Sequence, residues 1–168
     1  MFTFRKTETA DLPQVMAIIK EAQIYFKENQ IDQWQHNYPN LETIQNDIVQ
    51  DHSYVLVHKQ QIIATAAVSF DGEKTYNQIQ QGEWLTQNPY AVIHRLAVAN
   101  SFKGQGVFTS ILNPIEKLCC EQGIFSIKID THEHNLSMQR SLKKNGFSYC
   151  GVIYLEDGSK RVAWEKIL

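Results

Sequence analysis

Residues 91–108 read AVIHRLAVANSFKGQGVF. A strand-like apolar run ends at Val98, and Lys103, Gly104, Gln105 and Gly106 then lead into an apolar helical pattern. The first amides of a helix lack intrahelical acceptors, and the helix dipole adds partial positive charge there. Glycines at 104 and 106 let the backbone turn tightly and meet a ligand without a Cβ in the way. Lys103 adds a full positive charge. Together these predict a site for an anion, and for a phosphate group above all. The spacing is not that of a nucleoside-triphosphate loop, and the dinucleotide pattern would need glycine where Thr109 stands. Within the strand, His94 is the side chain whose ordinary pKa suits proton transfer near neutrality. Strict alternation would place it on one face with Val92, Leu96 and Val98. Apolar surroundings there would keep the imidazole neutral and able to accept a proton. The competing reading is a buried histidine bonded to backbone.

These residues need elements to hold them. Phe2–Arg5 suggests a first strand. Leu12, Val15, Ile18, Ile19, Ala22 and Phe26 recur at helical spacing and predict a helix over 11–28, with Asp11 or Thr9 as cap and Pro13 tolerated in its first turn. Leu41, Ile44, Ile48 and Val49 predict a second helix over about 41–50. Residues 31–39 between them form a loop rich in aromatics. Ser53–His58 and Ile62–Phe70 read as strands joined through Lys59-Gln60-Gln61, a hairpin without the usual Gly or Asn. Residues 71–89, with Tyr76, Ile79, Trp84 and Leu85, are long for a connection and predict a packed excursion with some helix. After the strand at 91–98 comes a helix over about 106–121, in which Pro114 threatens a kink. A strand at 125–129, a short helix at 135–144 capped by Asn135 and closed by Asn145-Gly146, and a strand pair at 147–154 and 161–167 complete the chain. The sum is about seven strands and four helices in mixed order, an α+β sheet covered by helices.

At 168 residues, one domain spanning 1–168 is expected. A net charge of −2 makes no electrostatic case for nucleic acid or a membrane surface. The N-terminus has no apolar run of a secretion signal, and the longest apolar run, Ile62–Val68, is too short to span a bilayer. Cys119, Cys120 and Cys150 are odd in number and lack metal spacing, which suggests reduced thiols in a cytoplasm. His132 and His134 flank Glu133 with no other ligand pair near them in sequence, so no metal site is expected.

The glycine turn resembles the signature of the GNAT superfamily of N-acetyltransferases: Gln or Arg, two residues, Gly, one residue, then Gly or Ala, opening the helix after the fourth strand. Lys103-Gly104-Gln105-Gly106-Val107-Phe108 matches it, with Lys for Gln or Arg and Phe108 in the last place. Downstream, Ile127-Lys128-Ile129-Asp130, then Asn135, then Asn145-Gly146-Phe147 resemble the fifth strand, its following helix cap and the start of the sixth strand. The resemblance implies a mixed, mostly antiparallel central sheet of six or seven strands flanked by about four helices.

The resemblance also implies acetyl-CoA as the cofactor. Its diphosphate would lie on main-chain amides from Lys103 through Gly104, Gln105, Gly106, Val107 and Phe108 to Thr109. Its pantetheine arm would run along Leu96, Ala97 and Val98, where the fourth and fifth strands part. Asn135 matches a residue that commonly contacts the cofactor, and Arg140, Lys143 and Lys144 could meet the 3′-phosphate. The implied reaction is direct attack of a primary amine, from a small molecule or a peptide, on the thioester. His94 is the candidate base. The usual acid, a tyrosine four residues before Gly146, is replaced by Leu142, so Tyr154 is the candidate to protonate the departing thiolate, with Tyr149, Cys150 and water as alternatives. Leu142 also leaves open a non-catalytic acyl-CoA-binding regulatory module. Trp34, Tyr38, Trp84 and Tyr90 lie in segments that flank the acceptor in the family and suit a cationic or hydrophobic amine. The resemblance further raises a homodimer as a state of the protein.

Overall fold

The computed structural model describes residues 1–168. Apolar side chains three and four apart wind residues 12–28 into α1 (Leu12–Glu28), with Pro13 in the first turn, where its missing N–H has no partner to lose. Asp11 precedes α1, but its side chain does not cap it. The carboxylate is held instead by Arg5, at 2.6 and 2.9 Å, and by the Glu8 N–H at 2.7 Å. The Arg5 guanidinium keeps the Asp11 carboxyl below its usual range. α2 (Leu41–Val49) starts from Asn40, whose carboxamide oxygen accepts from Thr43 N–H at 3.0 Å.

Four helices and seven mostly antiparallel strands make up the fold, the α+β class expected from the pattern of elements. The chain forms two compact units, each built from two stretches of sequence. The first comprises Met1–Val68 and His94–Ile115. β1 (Phe2–Lys6), β2 (Ser53–His58), β3 (Gln61–Ser69) and β4 (Ala91–Val98) follow one another in the sheet, with His94–Val98 the part of β4 that belongs to this unit. β1 pairs with β2 from Phe2↔His58 to Lys6↔Tyr54. The β2–β3 turn is made by Lys59 and Gln60, both left-handed at φ 46° and 67°, so two non-glycine residues adopt the turn geometry that Asn-Gly usually supplies. Residues 62–68 of β3 are all buried, as in a strand covered on both faces, rather than alternating. α1 buries Leu12, Val15, Ile18 and Ile19 with Ile44 of α2, Val55, Ile62, Ala97 and Ala99.

The second unit comprises Ser69–Ile93 and Glu116–Leu168. β5 (Ser126–Thr131) lies between β4 and β7 (Lys160–Ile167), and β6 (Ser148–Tyr154) is the edge strand beyond β7. β4 and β5 are parallel, with Ala91↔Ile127 and Val92↔Lys128 in register. The 71–90 segment contains one short 3-10 turn, Lys74–Asn77, and is otherwise irregular. It is not loose: Gln80 and Val152 exchange two main-chain bonds, at 2.7 and 2.8 Å. That docking is so close that a Cβ at Gly82 would meet the Cys150 carbonyl oxygen at 1.9 Å.

α3 (Val107–Glu121) is one uninterrupted element with Pro114 inside it, where the missing N–H removes one donor from the ladder. α4 (Leu136–Lys144) is capped as expected by Asn135, whose side chain accepts from Met138 N–H, and Gly146 at φ 87° follows its last turn.

Candidate active site

β4 leaves the sheet at Val98, and a short 3-10 turn, Asn100–Phe102, carries the chain to the glycines. Gly104 and Gly106 both sit at φ 76°, and a Cβ built on either would find no atom within 4 Å. The glycines are therefore required by backbone conformation and not by crowding inside the protein. Gly106 accepts the Ser110 N–H at 3.1 Å and so opens α3, but it has no side chain with which to cap the first turn. Main-chain donors of a helix start thus lie beside open space, the arrangement an anion needs. Val107, next in the chain, is buried and anchors this start. Phe108 and Thr109 are half-buried on α3, and Gln105 turns back to donate to the Ser101 carbonyl at 2.9 Å.

The Lys103 ammonium lies 4.7 Å from the centroid of the Tyr25 ring on α1. Desolvation lowers its pKa, against the pull of Glu21. Glu21 itself accepts the Asn100 N–H at 2.7 Å, so the second half of α1 fixes the path of the turn.

β4 does not alternate evenly. Arg95 is left-handed at φ 52°, which breaks the pleat between His94 and Leu96. The expectation of one shared face for Val92, His94, Leu96 and Val98 therefore does not hold beyond His94. His94 is half-buried, while Leu96 and Ala97 are 6% and 5% exposed. A non-glycine residue in this conformation costs about 1–3 kcal/mol and needs surrounding restraint. Arg95 has it. Its guanidinium makes two 2.6 Å bonds to the buried Asp47 of α2 and a 2.9 Å bond to the Tyr38 hydroxyl. Burial, the largest single effect, pulls the Arg95 pKa down, but the bonds to Asp47 together with the charges and bond of Tyr38 and Asp47 raise it on balance, and the guanidinium stays charged.

In the second unit a polar stripe runs along one face of β5. Ser126 donates to Glu165 at 2.7 Å, and Asp130 accepts the Tyr76 hydroxyl at 2.7 Å. Between them the Lys128 ammonium is 4.0 Å from the Tyr90 centroid and 4.4 Å from that of Trp84. Tyr76 is wholly buried, and desolvation, with Asp130 next to it, raises its pKa far above the ordinary value.

Residues 16–147 match the model of the acetyltransferase (GNAT) family. The chain belongs to that family. An acetyltransferase of the GNAT family from Streptococcus agalactiae has the same fold at 32% identity, with a TM-score of 0.90 over 99% of this chain and 95% of that one. PaiA N-acetyltransferase from Thermoplasma acidophilum, solved in complex with coenzyme A, shares the fold at 17% identity and a TM-score of 0.73 over 100% and 99% of the two chains. The ribosomal-protein-S18-alanine N-acetyltransferase of Escherichia coli does so at 15% identity and a TM-score of 0.66, covering 99% and 94%. No curated protein sequence matches the chain.

As a GNAT acetyltransferase the protein is an enzyme that uses acetyl-CoA. The glycine turn fits that group: its open side is where a Cβ would stand, and its donors are main-chain amides. Other residues expected at the cofactor are distributed as follows. Asn135 is 3% exposed, and its side chain is engaged by Met138 N–H and by Thr131, so it shapes the start of α4. Arg140, Lys143 and Lys144 are exposed on α4.

Leu142, at the position where the resemblance led to the expectation of a tyrosine acid, is fully buried core. Tyr154 is 40% exposed and lines an open groove of about 320 Å³ with Lys74, Thr75, Asn77, Gln78, Gln80 and Glu156. Tyr149 stacks edge-on against Trp164. The buried Cys150 thiol is pushed up by desolvation and by Glu165, and the Cys119 thiol is pushed up to about 12 by burial, so neither is a ready thiolate.

Among the aromatic residues expected to face an acceptor, Trp34 packs edge-on against Phe26 and against the first unit's core. Trp84 is 7% exposed, donates to the Tyr76 carbonyl at 2.8 Å and, with Tyr90, holds Lys128. Tyr38 is 44% exposed and bound only at its hydroxyl end to Arg95. Arg95, Asp47 and Lys128 escaped notice in the sequence because a charged residue in a strand or helix ordinarily marks the solvent face. For Lys128 the one signal was polar alternation in β5; Arg95 and Asp47 gave none.

Proposed function

We propose that this GNAT acetyltransferase is an N-acetyltransferase, acting by direct attack of a primary amine of a small molecule or peptide. The observation that carries the reading is the pair of left-handed glycines at the start of α3, open on the side where a Cβ would project. Main-chain amides from Lys103 to Thr109 would hold the diphosphate of acetyl-CoA. The main chain of Leu96, Ala97 and Val98 would hold the pantetheine arm. Acetyl-CoA, when bound, supplies the activated thioester. The N–H of Ala97 or Val98 would be the donor to the thioester oxygen. His94 takes a proton from the incoming ammonium, directly or through water. Tyr154 would be the proton donor to the CoA thiolate, a task that water could share.

For the acceptor, Tyr38 is the aromatic side chain whose exposure best supports contact. The 29–40 loop that carries it is wound tightly, with Gln30, Trp34, His36 and Asn37 all at φ between 56° and 59°. Backbone strain of this kind gathers where a binding surface must keep one shape. Three cysteines, none in a disulfide, support a reducing compartment such as the cytoplasm.

A thiol-release assay over a panel of amines and peptide N-termini tests the reading. Amine-dependent release of CoA is expected. Tight binding of acetyl-CoA with no turnover on any amine would replace it with a regulatory acyl-CoA-binding module.

A further inference from the structure

Arg95 occupies an unusual place for a charged residue. It is part of β4, next to His94, and its backbone is left-handed. Its side chain reaches a carboxylate that is 4% exposed and a tyrosine hydroxyl on the 29–40 loop. The bonds are oriented. Nε and Nη2 take both oxygens of Asp47, which fixes the plane of the guanidinium, and Nη1 is then aimed at Tyr38. Lysine could not reproduce this, because an ammonium has no planar fork.

The loop has other anchors: Ile31 is buried, its N–H donates to the Phe26 carbonyl at 2.8 Å, and Trp34 packs on the first unit's core. Gln23 on α1 donates to the Tyr38 and Pro39 carbonyls, both at 3.0 Å, and Gln35 donates to the Gln23 carbonyl at 3.2 Å. These hold the loop from the α1 side. The Arg95 bond holds it from β4 through the Tyr38 hydroxyl, and Tyr38 stays 44% exposed.

We propose that Arg95 is a positioning residue for the acceptor: clamped by Asp47, it sets the Tyr38 ring at a fixed offset from the strand that carries His94, and so sets acceptor affinity. The proposal rests on the N-acetyltransferase reading. In it, the acceptor meets a rigid aromatic edge indexed to the reacting strand, and loosening that edge weakens capture of the amine while leaving the cofactor amides intact. The chemistry favoured is a primary amine on a short aliphatic or cationic stem, which can lie against a tyrosine face.

The test uses two variants. Tyr38→Phe removes only the hydroxyl bond. Arg95→Lys keeps the charge and loses the fork. With the best amine from the thiol-release panel, both are expected to raise acceptor KM, by about threefold to tenfold for Tyr38→Phe and more than tenfold for Arg95→Lys. The KM for acetyl-CoA should stay within twofold. The double variant should be no worse than Arg95→Lys alone, because one bond is removed twice. Hydrogen exchange at the Tyr38 amide, which donates to Gln35 at 3.3 Å, should quicken at least fivefold in both variants. Unchanged acceptor KM, a matching loss of acetyl-CoA affinity, strictly additive effects or unchanged exchange would each overturn the proposal. Exchange needs no turnover, so it decides on the clamp even where Arg95→Lys is too unstable to assay. A wild-type protein that acetylates no amine overturns the N-acetyltransferase reading and Arg95's role in it, an outcome distinct from an active wild type with an indifferent Arg95→Lys variant.

Discussion

The Lys128 ammonium sits 4.0 Å from the centre of the Tyr90 ring and is closed on its other side by Trp84. The residue is 3% exposed, and its ammonium donates to the Thr86 carbonyl at 3.4 Å, a long contact. Two aromatic faces therefore stand in for water around a cation, worth about 1–2 kcal/mol in such a desolvated setting. Trp84 and Tyr90 belong to the segments expected to flank an acceptor amine. They already hold an internal one, and the 71–90 segment is fastened to β5 by that contact together with the Tyr76–Asp130 bond.

Desolvation lowers the Lys128 pKa from its ordinary 10.5, with Glu165 pulling the other way. Below the folded-state value the lysine is charged both folded and unfolded, and the folded state bears the cost of its burial. Between that value and 10.5 the unfolded chain binds the extra proton, so stability rises with pH across that window. Wild-type stability relative to Lys128→Met is expected to climb as pH approaches 10.5, read as the difference in urea midpoints at a series of alkaline pH values. A difference that is flat in pH would mean that the ammonium is hydrated in solution.

Gly106→Val should lower CoA affinity at least tenfold, because its Cβ would project into the space assigned to the diphosphate. The substitution also forces a branched side chain to φ 76°, at about 1–3 kcal/mol of stability. Gly158→Val separates the two effects. Gly158 lies in the β6–β7 turn at φ 83°, again with nothing within 4 Å of a Cβ, and its variant should show a similar loss of stability with unchanged CoA affinity. Titration calorimetry beside thermal melts reads both. Equal affinities in the two variants would remove the glycine turn from the cofactor site.

Gly82→Ala is a different case, since the new Cβ would meet a carbonyl oxygen at 1.9 Å and backbone cannot yield as a side chain does. The 80–82 stretch must lift from β6, breaking the Gln80–Val152 bonds and loosening Trp84. A loss of several kcal/mol, within the range of severe overpacking, is expected, with a drop in the near-ultraviolet circular dichroism of Trp84. A stability within about 0.5 kcal/mol of wild type would show that the segment docks less tightly than its two main-chain bonds imply.

Much of this was legible from residue order. The turn at 103–106, the Asn135 cap, the strand over 91–98 and the helix over 12–28 follow from local rules, because backbone conformation and periodicity are written in neighbouring residues. What failed to show was long-range pairing. Alternation through β4 suggested one face for His94 and Leu96, yet Arg95 breaks the pleat, and the reason lies with Asp47, 48 positions earlier in the chain. Polar residues at 128 and 130 are what a half-exposed strand would carry, and only the folded 71–90 segment covers them, through Trp84, Tyr90 and Tyr76. The aromatic residues followed the same logic: their types suggested an amine, but their partners, Phe26 for Trp34 and Lys128 for Trp84 and Tyr90, are set by tertiary contacts.

His94 is the remaining question of chemistry, and kinetics can settle it. The residue is half-buried on β4, one position before the left-handed Arg95, with Leu96 and Ala97 buried just beyond. If it takes the proton from the acceptor amine, His94→Ala should lower kcat by roughly 100-fold, the lower end of what a positioned base contributes, with acetyl-CoA affinity unchanged. Part of that loss should be recovered by raising pH, because more of the amine then arrives without its proton. A merely structural histidine predicts another pattern: a lower melting temperature, a kcat within about threefold of wild type once folded protein is counted, and the wild-type pH profile. Measuring kcat against pH for both proteins, alongside their melts, distinguishes the two, and an unchanged profile at near-wild-type kcat would take His94 out of the reaction.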